Sequence, residues 1–406
     1  MNLKRLLLQT ARGLGLDIGR YNPGFPTGIV SLQPDGISKG NVLLAYILEP
    51  FLSRGSKPIS TSHTHHGESV LIADTWLQQG YSVDVIDYRN HEFVPRKRYD
   101  FFVSARTHLE TIAARLNPDC VTIAHLDTSH YAFNNEATYR RLLETQKRRG
   151  VSLPGSTRLI EHNMALEIAD YGVVLGNEKT VDTYRYAGKP LFALSAPTVT
   201  DLPWNDEKDF DACRNRFLWF GSGGLVHKGL DIVLEAFADM PEAHLTVCGP
   251  IESESMFRNE YRKELYETKN IRLAGWVDVN GDEFRQIVRQ CAAIVYPSCA
   301  EGQATSVLNC MRGGLIPILT PEAGISIGDF GISLERASIT SIKDAVRRLA
   351  ALPPDDLAAR ARRTWEYTDA HHSRVAYQRH YAAIIKEIAG LSSQRRALTP
   401  PPASPA

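Results

Sequence analysis

Tyr296 to Leu319 reads YPSCAEGQATSVLNCMRGGLIPIL. An apolar strand runs out at Ser298, and Glu301-Gly302-Gln303-Ala304 makes a short loop. A helix opens near Thr305 and stops at Gly313-Gly314, and a second apolar strand follows. A strand, loop and helix in this order aim the helix N-terminus beyond the sheet edge. Its unpaired N–H groups and positive dipole end suit an anion such as a phosphate. Gly302 allows close approach to the backbone. Glu301 can accept hydrogen bonds from sugar hydroxyls, although in isolation it would read as an acid favouring a helix start. Asn309 lies four residues after Thr305 and faces the same way one turn along. The set fits a ligand with a diphosphate in the middle and hydroxyls at both ends.

On either side the chain alternates between strand-like and helix-like segments. NVLLAYIL, YSVDVIDY, YDFFVSA, CVTIAHLD, YGVVLG and KPLFALS read as strands. SVLIADTWLQQG, HLETIAARL and RLIEHNMALEIAD read as helices between them. The rhythm lapses from Ala196 to Asn215, a stretch with two prolines and seven charged residues, and then resumes with RFLWFGS. Two parallel, doubly wound domains follow, with ligands expected where the C-terminal ends of both sheets face each other. The expected division is 1–38 unassigned, 39–200 an N-terminal acceptor domain, and 201–373 a C-terminal donor domain. A late helix over 374–390 packs back on the N-terminal domain, and 391–406 forms a disordered Pro/Ser/Ala tail.

The chain has 406 residues, with Lys+Arg and Asp+Glu both 46, so no excess of positive charge argues for a nucleic-acid partner. Short basic clusters such as Lys147-Arg148-Arg149 read as solvated faces, with attraction to anionic lipid the weaker reading. Six cysteines never stand at CxxC spacing and lie mostly in apolar runs, which points to buried thiols in a reducing compartment. No apolar run approaches the roughly 20 residues of a membrane span. The first residues, MNLKRLLLQTARGLGL, place Leu3, Leu6, Leu7 and Leu14 on one helical face. A helix packed on the domain is favoured there over a helix lying on a membrane surface.

PSCAEGQATSVLNCMRGGLIPI resembles the donor-site signature of retaining, GT-B-fold glycosyltransferases of family 4 (glycosyl transferases group 1). FLWFGSGGLVHKGLDIVLEAFADM, HLTVCGP and NIRLAGWV resemble the family's glycine-rich loop and the two nucleotide-side strands after it. The resemblance is specific from about Phe217 to Thr320 and weaker over ESVLIADTWLQQGYSVDVIDY. It implies two Rossmann-like domains facing a central cleft, and transfer of a sugar from a nucleotide-sugar to a hydroxyl with retention. Lys228 matches the lysine that neutralises the diphosphate, and Glu301 matches the acid that contacts the transferred sugar. Gln303, Ala304, Thr305 and Ser306 match the cradle for sugar hydroxyls and phosphate. Gly221, Ser222, Gly223, Gly224, Gly249 and Val277 complete the donor side. His125, at the end of CVTIAHLD, matches a histidine that reaches across the cleft, with Asp127 and His130 as second choices.

Two positions depart from the family pattern. Asn309 stands where a second glutamate usually holds the ribose. Ser222 follows Gly221 where an arginine is common, so phosphate neutralisation falls to Lys228 with help from the loop's N–H groups. His227 either adds charge there or faces solvent. The resemblance implies no metal or other cofactor, because the protein supplies the charge. It implies a glycan or lipid-linked acceptor and a cytoplasmic enzyme, peripheral on the inner face of the membrane.

STSHTHHGESV, Ser60 to Val70, holds His63, His65 and His66. It reads as a loop between the first strand and first helix, facing the acceptor or the phosphates, with His66 and Gly67 nearest the helix. Two rivals remain. A metal-dependent hydrolase could use His63 and His65, although H-x-H-x-D-H would need an acid and a histidine where Gly67 and Glu68 stand. A non-catalytic nucleotide-sugar-binding protein is the other. GSGGLVHKG is neither G-x-G-x-x-G nor a Walker loop, so dinucleotide and ATP chemistry are unsupported.

Overall fold

The computed structural model describes residues 25–52, 64–106, 109–155 and 158–398. The N-terminal sheet comprises β1 (Ile29–Leu32), β2 (Asn41–Tyr46), β3 (Ser82–Asp87), β4 (Phe101–Ala105), β5 (Val121–Leu126), β6 (Tyr171–Leu175) and β7 (Leu191–Leu194). Their order is β1-β3-β2-β4-β5-β6-β7, parallel except for β1. Alternate residues of β2 enter different cores: Val42, Leu44 and Tyr46 on one face, Leu43 and Ala45 on the other. That two-sided burial explains the near-continuous apolar runs of the sequence.

The second sheet comprises β8 (Arg216–Phe220), β9 (His244–Cys248), β10 (Ile271–Gly275), β11 (Ala293–Tyr296), β12 (Ile316–Leu319) and β13 (Ile332–Ser333). Its order is β10-β9-β8-β11-β12-β13, all parallel. The strand order reverses between β2 and β4 in the first sheet, and between β8 and β11 in the second. Doubly wound sheets bind ligands outside the strand ends at such reversals. Tyr46 and Ala105 end strands at the first reversal, and Phe220 and Tyr296 at the second.

Several expectations need correction. The sequence places residues 1–38 outside both domains, yet Ile29–Leu32 forms the antiparallel edge strand of the first sheet. The proposed amphipathic N-terminal helix lies outside the described residues. RLIEHNMALEIAD is helical only at Ala165–Ile168. Asn134 and Asn135 side chains donate to the carbonyls of Arg158 and Ile160, which holds that stretch as a strap along the cleft. The tail does not begin at 391: the helix Arg374–Leu398 runs through it, and Ser392 lies buried against Tyr171. Residues 399–406 lie outside the described residues.

The helix Tyr131–Arg149, which the strand–helix rhythm does not reveal, clasps the second domain. Thr145 donates to the buried Asp231 at 2.9 Å, and Arg148 pairs with the same carboxylate. Arg149 reaches Glu260 and Glu264, both at 2.9 Å. Arg148 and Arg149 are therefore an interdomain contact rather than a solvated face. Among the described residues no helix is long and apolar enough to cross a membrane.

Two chain crossings join the domains side by side. Thr198 N–H donates to the His372 carbonyl at 2.7 Å, and His372 Nδ1 donates to the Ala196 carbonyl at 2.9 Å. Burial pushes the His372 imidazole down to about 4, so it is neutral. At Ser373 the backbone turns extended and separates the helix Pro354–His372 from Arg374–Leu398. The latter returns to the helix Thr64–Gln78, where fully buried Trp76 donates from its indole to Tyr381 at 3.3 Å. Trp76→Ala should destabilise the protein by about 3–5 kcal/mol, seen as a lower urea midpoint. A change within error would show that the returning helix is not anchored there.

Candidate functional site

A cavity of about 610 Å³ opens between the two sheets at both strand-order reversals. Its floor is the stretch Tyr296–Ser306. Glu301 follows β11, and the helix Thr305–Arg312 presents Thr305 and Ser306 to the cavity. Glu301 Oε1 accepts from Lys228 Nζ at 2.6 Å, from Tyr296 OH at 3.1 Å and from Ser298 Oγ at 3.1 Å. Glu301 Oε2 accepts from Arg158 Nη2 at 2.9 Å. Burial alone would raise the Glu301 carboxyl, but Lys228 and Arg158 outweigh it and hold it well below the usual range. Burial lowers the Lys228 ammonium to about 8, against the pull of Glu301 and with the push of Arg158. The Tyr296 hydroxyl is raised by burial and by Glu301, so it stays a donor.

Other predicted donor residues divide into two groups. Gly221, Ser222, Gly249 and Val277 line one end of the cavity, beside Trp276, which is 61% exposed. Gly302, Gln303, Ala304 and Asn309 line the floor. Among the described residues the walls do not include Gly223 or Gly224. The N–H groups of Gly224 and Leu225 donate to the Glu254 carboxylate instead, so this part of the loop is not free to cradle phosphate. His227 neither adds charge nor faces solvent. Its Nε2–H donates to the Ala300 carbonyl, and its Nδ1 meets Thr138 Oγ1 at 2.8 Å. Burial, with Arg158 and Lys228 nearby, drops it to about 3.

Two amide side chains assigned to the donor turn toward the hinge. Asn309 Oδ1 accepts from Val199 N–H at 2.9 Å. Gln303 Oε1 accepts from Ala196 N–H, and its amide donates to the Gly324 carbonyl at 3.0 Å. Asn309 still borders the cavity, but its acceptor atom is committed to the interdomain linker.

On the N-terminal side the histidine stretch is not a loop where it can be seen. The helix starts at Thr64, so His65, His66, Gly67 and Glu68 form its first turns. His63 lies outside the described residues. His65 Nδ1 donates to Glu68 Oε2 at 2.9 Å, and its Nε2 lies 3.5 Å from Asp127 Oδ2 at the cavity wall. A Cβ on Gly67 would meet nothing within 4 Å, so no close approach requires that glycine. Among the described residues the walls do not include His66, Gly67 or His125. His125 is fully buried, with Nε2 3.0 Å from Glu68 Oε1. It sits too deep in β5, and Asp127, two residues on, reaches the cavity instead. Tyr46 also donates to Glu68 Oε2, at 2.9 Å. Burial would raise the Glu68 carboxyl, but hydrogen bonds from His125 and His65 hold it well below its ordinary range.

Sequence reasoning missed Arg158, Tyr296, Trp276 and Arg106. Tyr296 carried a signal, since it ends a strand at the expected cleft. Arg106 takes a left-handed conformation, φ 71°, and its guanidinium lies 3.1 Å from Asp127 Oδ2. Burial raises the Asp127 carboxyl, and Arg106 and His65 more than reverse that. Among the described residues no group of three or more His, Cys, Asp or Glu is placed to hold a metal ion.

Residues 214–351 match the family model described as Glycosyl transferases group 1. The matched segment lies in the C-terminal domain and contains both Lys228 and Glu301. No curated protein matches the chain in sequence. Among solved structures, the sucrose-phosphate synthase of Thermosynechococcus elongatus is 13% identical. That match covers 89% of this chain and 100% of that one, at a TM-score of 0.62. HepE of Anabaena, solved with UDP and glucose, is 12% identical over 86% of this chain and 100% of its own, at 0.55. TarM of S. aureus is 12% identical over 69% of this chain, at 0.50, and this chain spans 54% of its length. The two-domain architecture is the GT-B fold of these neighbours.

Gly302 earns its place through the other domain. A Cβ there would lie 2.3 Å from the Asp127 carbonyl oxygen and 2.8 Å from Thr128 Cα. Thr180 Oγ1 donates to the Gly302 carbonyl at 3.0 Å, and Asn177 Nδ2 to the Pro321 carbonyl at 3.1 Å, so the rims touch. Gly302→Ala should hold the domains apart, giving a larger radius of gyration by small-angle scattering with unchanged secondary structure. Superimposable scattering curves would refute a steric role in closure.

Proposed function

We propose that this chain transfers a sugar from a nucleotide-sugar to a hydroxyl acceptor, with retention at the anomeric carbon, as in family 4. One observation carries the reading: the buried Lys228–Glu301 pair lies in the floor of a two-domain cavity, beside a helix N-terminus. The cationic group suits a departing diphosphate, and the carboxylate suits the hydroxyls of the sugar next to it. HepE, with the same fold, was solved with UDP and glucose, which supports a nucleoside diphosphate at this place.

The nucleotide base lies by Trp276 and Val277, where an exposed indole offers a stacking face. Negative charge grows on the diphosphate as the glycosidic bond breaks and the sugar takes oxocarbenium character. Lys228 and the N–H groups at Thr305 and Ser306 are already in place to stabilise it. Glu301 orients the sugar, held by Tyr296 and Ser298. The acceptor hydroxyl enters from the side of His65 and Asp127, attacks the face that the phosphate leaves, and passes its proton to the departing phosphate oxygen. Contact between the domain rims excludes water and limits hydrolysis of the donor. The acceptor is a glycan or lipid-linked precursor. The reaction takes place on the cytoplasmic side of the membrane, a reading supported by six cysteines of which five are buried.

A thermal-shift panel of UDP-, GDP-, ADP- and TDP-sugars, followed by transfer assays, tests this. Lys228→Ala and Glu301→Ala should each remove most transfer, by about 100-fold or more, while the circular dichroism spectrum stays native. Full activity in either variant would sink the site assignment. Tight donor binding with neither transfer nor slow hydrolysis would favour a binding protein.

The reaction should also depend on pH. Lys228 is a cation below about 8 and loses its proton above it. Donor kcat/KM should therefore fall on the alkaline side, with a midpoint near pH 8. A flat profile from pH 7 to 10 would contradict a cationic role for Lys228 in the free enzyme.

A further inference from the structure

The donor floor holds a cation that comes from the opposite domain. Arg158 belongs to the strap 158–164, tied to the N-terminal domain through the bond from Asn134 to its carbonyl. Its side chain crosses the cleft, borders the cavity and meets Glu301 Oε2 at 2.9 Å. The path is shaped for it. A Cβ on Gly224 would lie 2.1 Å from Arg158 Cγ and 2.6 Å from its Cδ, and Gly224 itself has a φ of 88°. The loop is therefore glycine at this point both for its backbone conformation and to let the arginine pass.

Glu301 does not use up this guanidinium. Its bond to Arg158 runs through Nη2 alone, and Arg158 Nε is buried without a hydrogen-bond partner. A guanidinium has five N–H donors in a fixed fork suited to phosphate oxygens. Lys228 is more deeply committed, since its ammonium contacts both Tyr296 OH and Glu301. Two cations against one carboxylate leave the floor net positive. A diphosphate diester brings more negative charge than one lysine offsets. With the N–H groups of Gly224 and Leu225 taken by Glu254, the glycine-rich loop offers no substitute at that point.

We propose that Arg158 supplies the second fixed cation for the donor diphosphate, so that the phosphate site is complete only when the N-terminal domain has closed onto the donor domain. The proposal rests on the donor-site reading above. When the diphosphate arrives, the guanidinium turns its unused N–H groups to a phosphate oxygen. The carboxylate that it had held becomes available to the sugar hydroxyls. Closure, charge neutralisation and sugar orientation then depend on one side chain. Arg158 also depresses the Lys228 ammonium, so its removal should return that group toward the ordinary lysine range.

The test compares Arg158→Ala, Arg158→Lys and Lys228→Ala with the unaltered chain. Calorimetric titrations use UDP, GDP, ADP and TDP, each against its nucleoside. For the nucleotide that binds, Arg158→Ala should weaken the diphosphate about tenfold or more and leave the nucleoside unchanged. Arg158→Lys should recover much of the loss. The alkaline limb of donor kcat/KM should move to higher pH in Arg158→Ala. Unchanged diphosphate affinity in Arg158→Ala, with a clear loss in Lys228→Ala, would overturn the role of Arg158 and leave the donor site standing. Unchanged affinity in both variants, or no binding of UDP, GDP, ADP or TDP to the unaltered chain, would overturn the donor-site reading and this inference with it. Equal losses for diphosphate and nucleoside would mark Arg158 as a structural strut only.

Discussion

One carboxylate, Glu301, sits between two cations that belong to different domains. Placing three charges where little water reaches is costly, and their attraction offsets that cost only when the geometry is good. Here it is: Oε1 gathers Lys228, Tyr296 and Ser298, and Oε2 takes Arg158. These contacts anchor the loop Glu301–Ala304 at the floor of the cavity. Taking away Glu301 leaves both cations without their counter-charge, so the cluster depends on that carboxylate. It also makes the domain interface part of the cavity floor, because one of its cations crosses the cleft.

The same loop is bound to the hinge. Gln303 and Asn309 accept from the backbone of Ala196 and Val199, where the chain passes between domains. The second crossing, at His372, is hydrogen-bonded to the same linker. The cavity floor and the linker between the domains are therefore joined by hydrogen bonds. The N-terminal wall has its own support. Glu68 accepts from His65, His125 and Tyr46, which fixes His65 beside Asp127. His65, which reads as part of an acceptor-side or phosphate-side loop, is instead held by a buried carboxylate in the first turns of a helix.

Much of this was legible from the chain. The alternating apolar runs showed two parallel sheets, and the breaks at Gly313-Gly314 and after Ala196 were in the right places. Tyr296–Ser306 forms the cavity floor as the strand–loop–helix pattern implies, and the resemblance singles out Lys228 and Glu301, but only the folded chain brings these two into contact across 73 positions. Other signals misled. RLIEHNMALEIAD has helical spacing, but side chains of Asn134 and Asn135 capture its carbonyls and hold it as a strap. Arg148 and Arg149 look solvated in a basic run, yet Asp231, Glu260 and Glu264 were waiting on another domain.

The division has a physical cause. Strand and helix periods, glycine stops and the helix N-terminus at Thr305 follow from neighbours within a few residues, so the chain alone carried them. Which side chain faces the ligand depends on how the two domains meet. That contact sent Asn309 and Gln303 to the linker and made Gly302 a point of contact with Asp127, while packing inside the N-terminal domain set His125 against Glu68. It also brought Arg158 to Glu301 across 143 positions of chain. No local pattern encodes a partner on another domain, because the energy of that pairing exists only once both sheets are folded and closed.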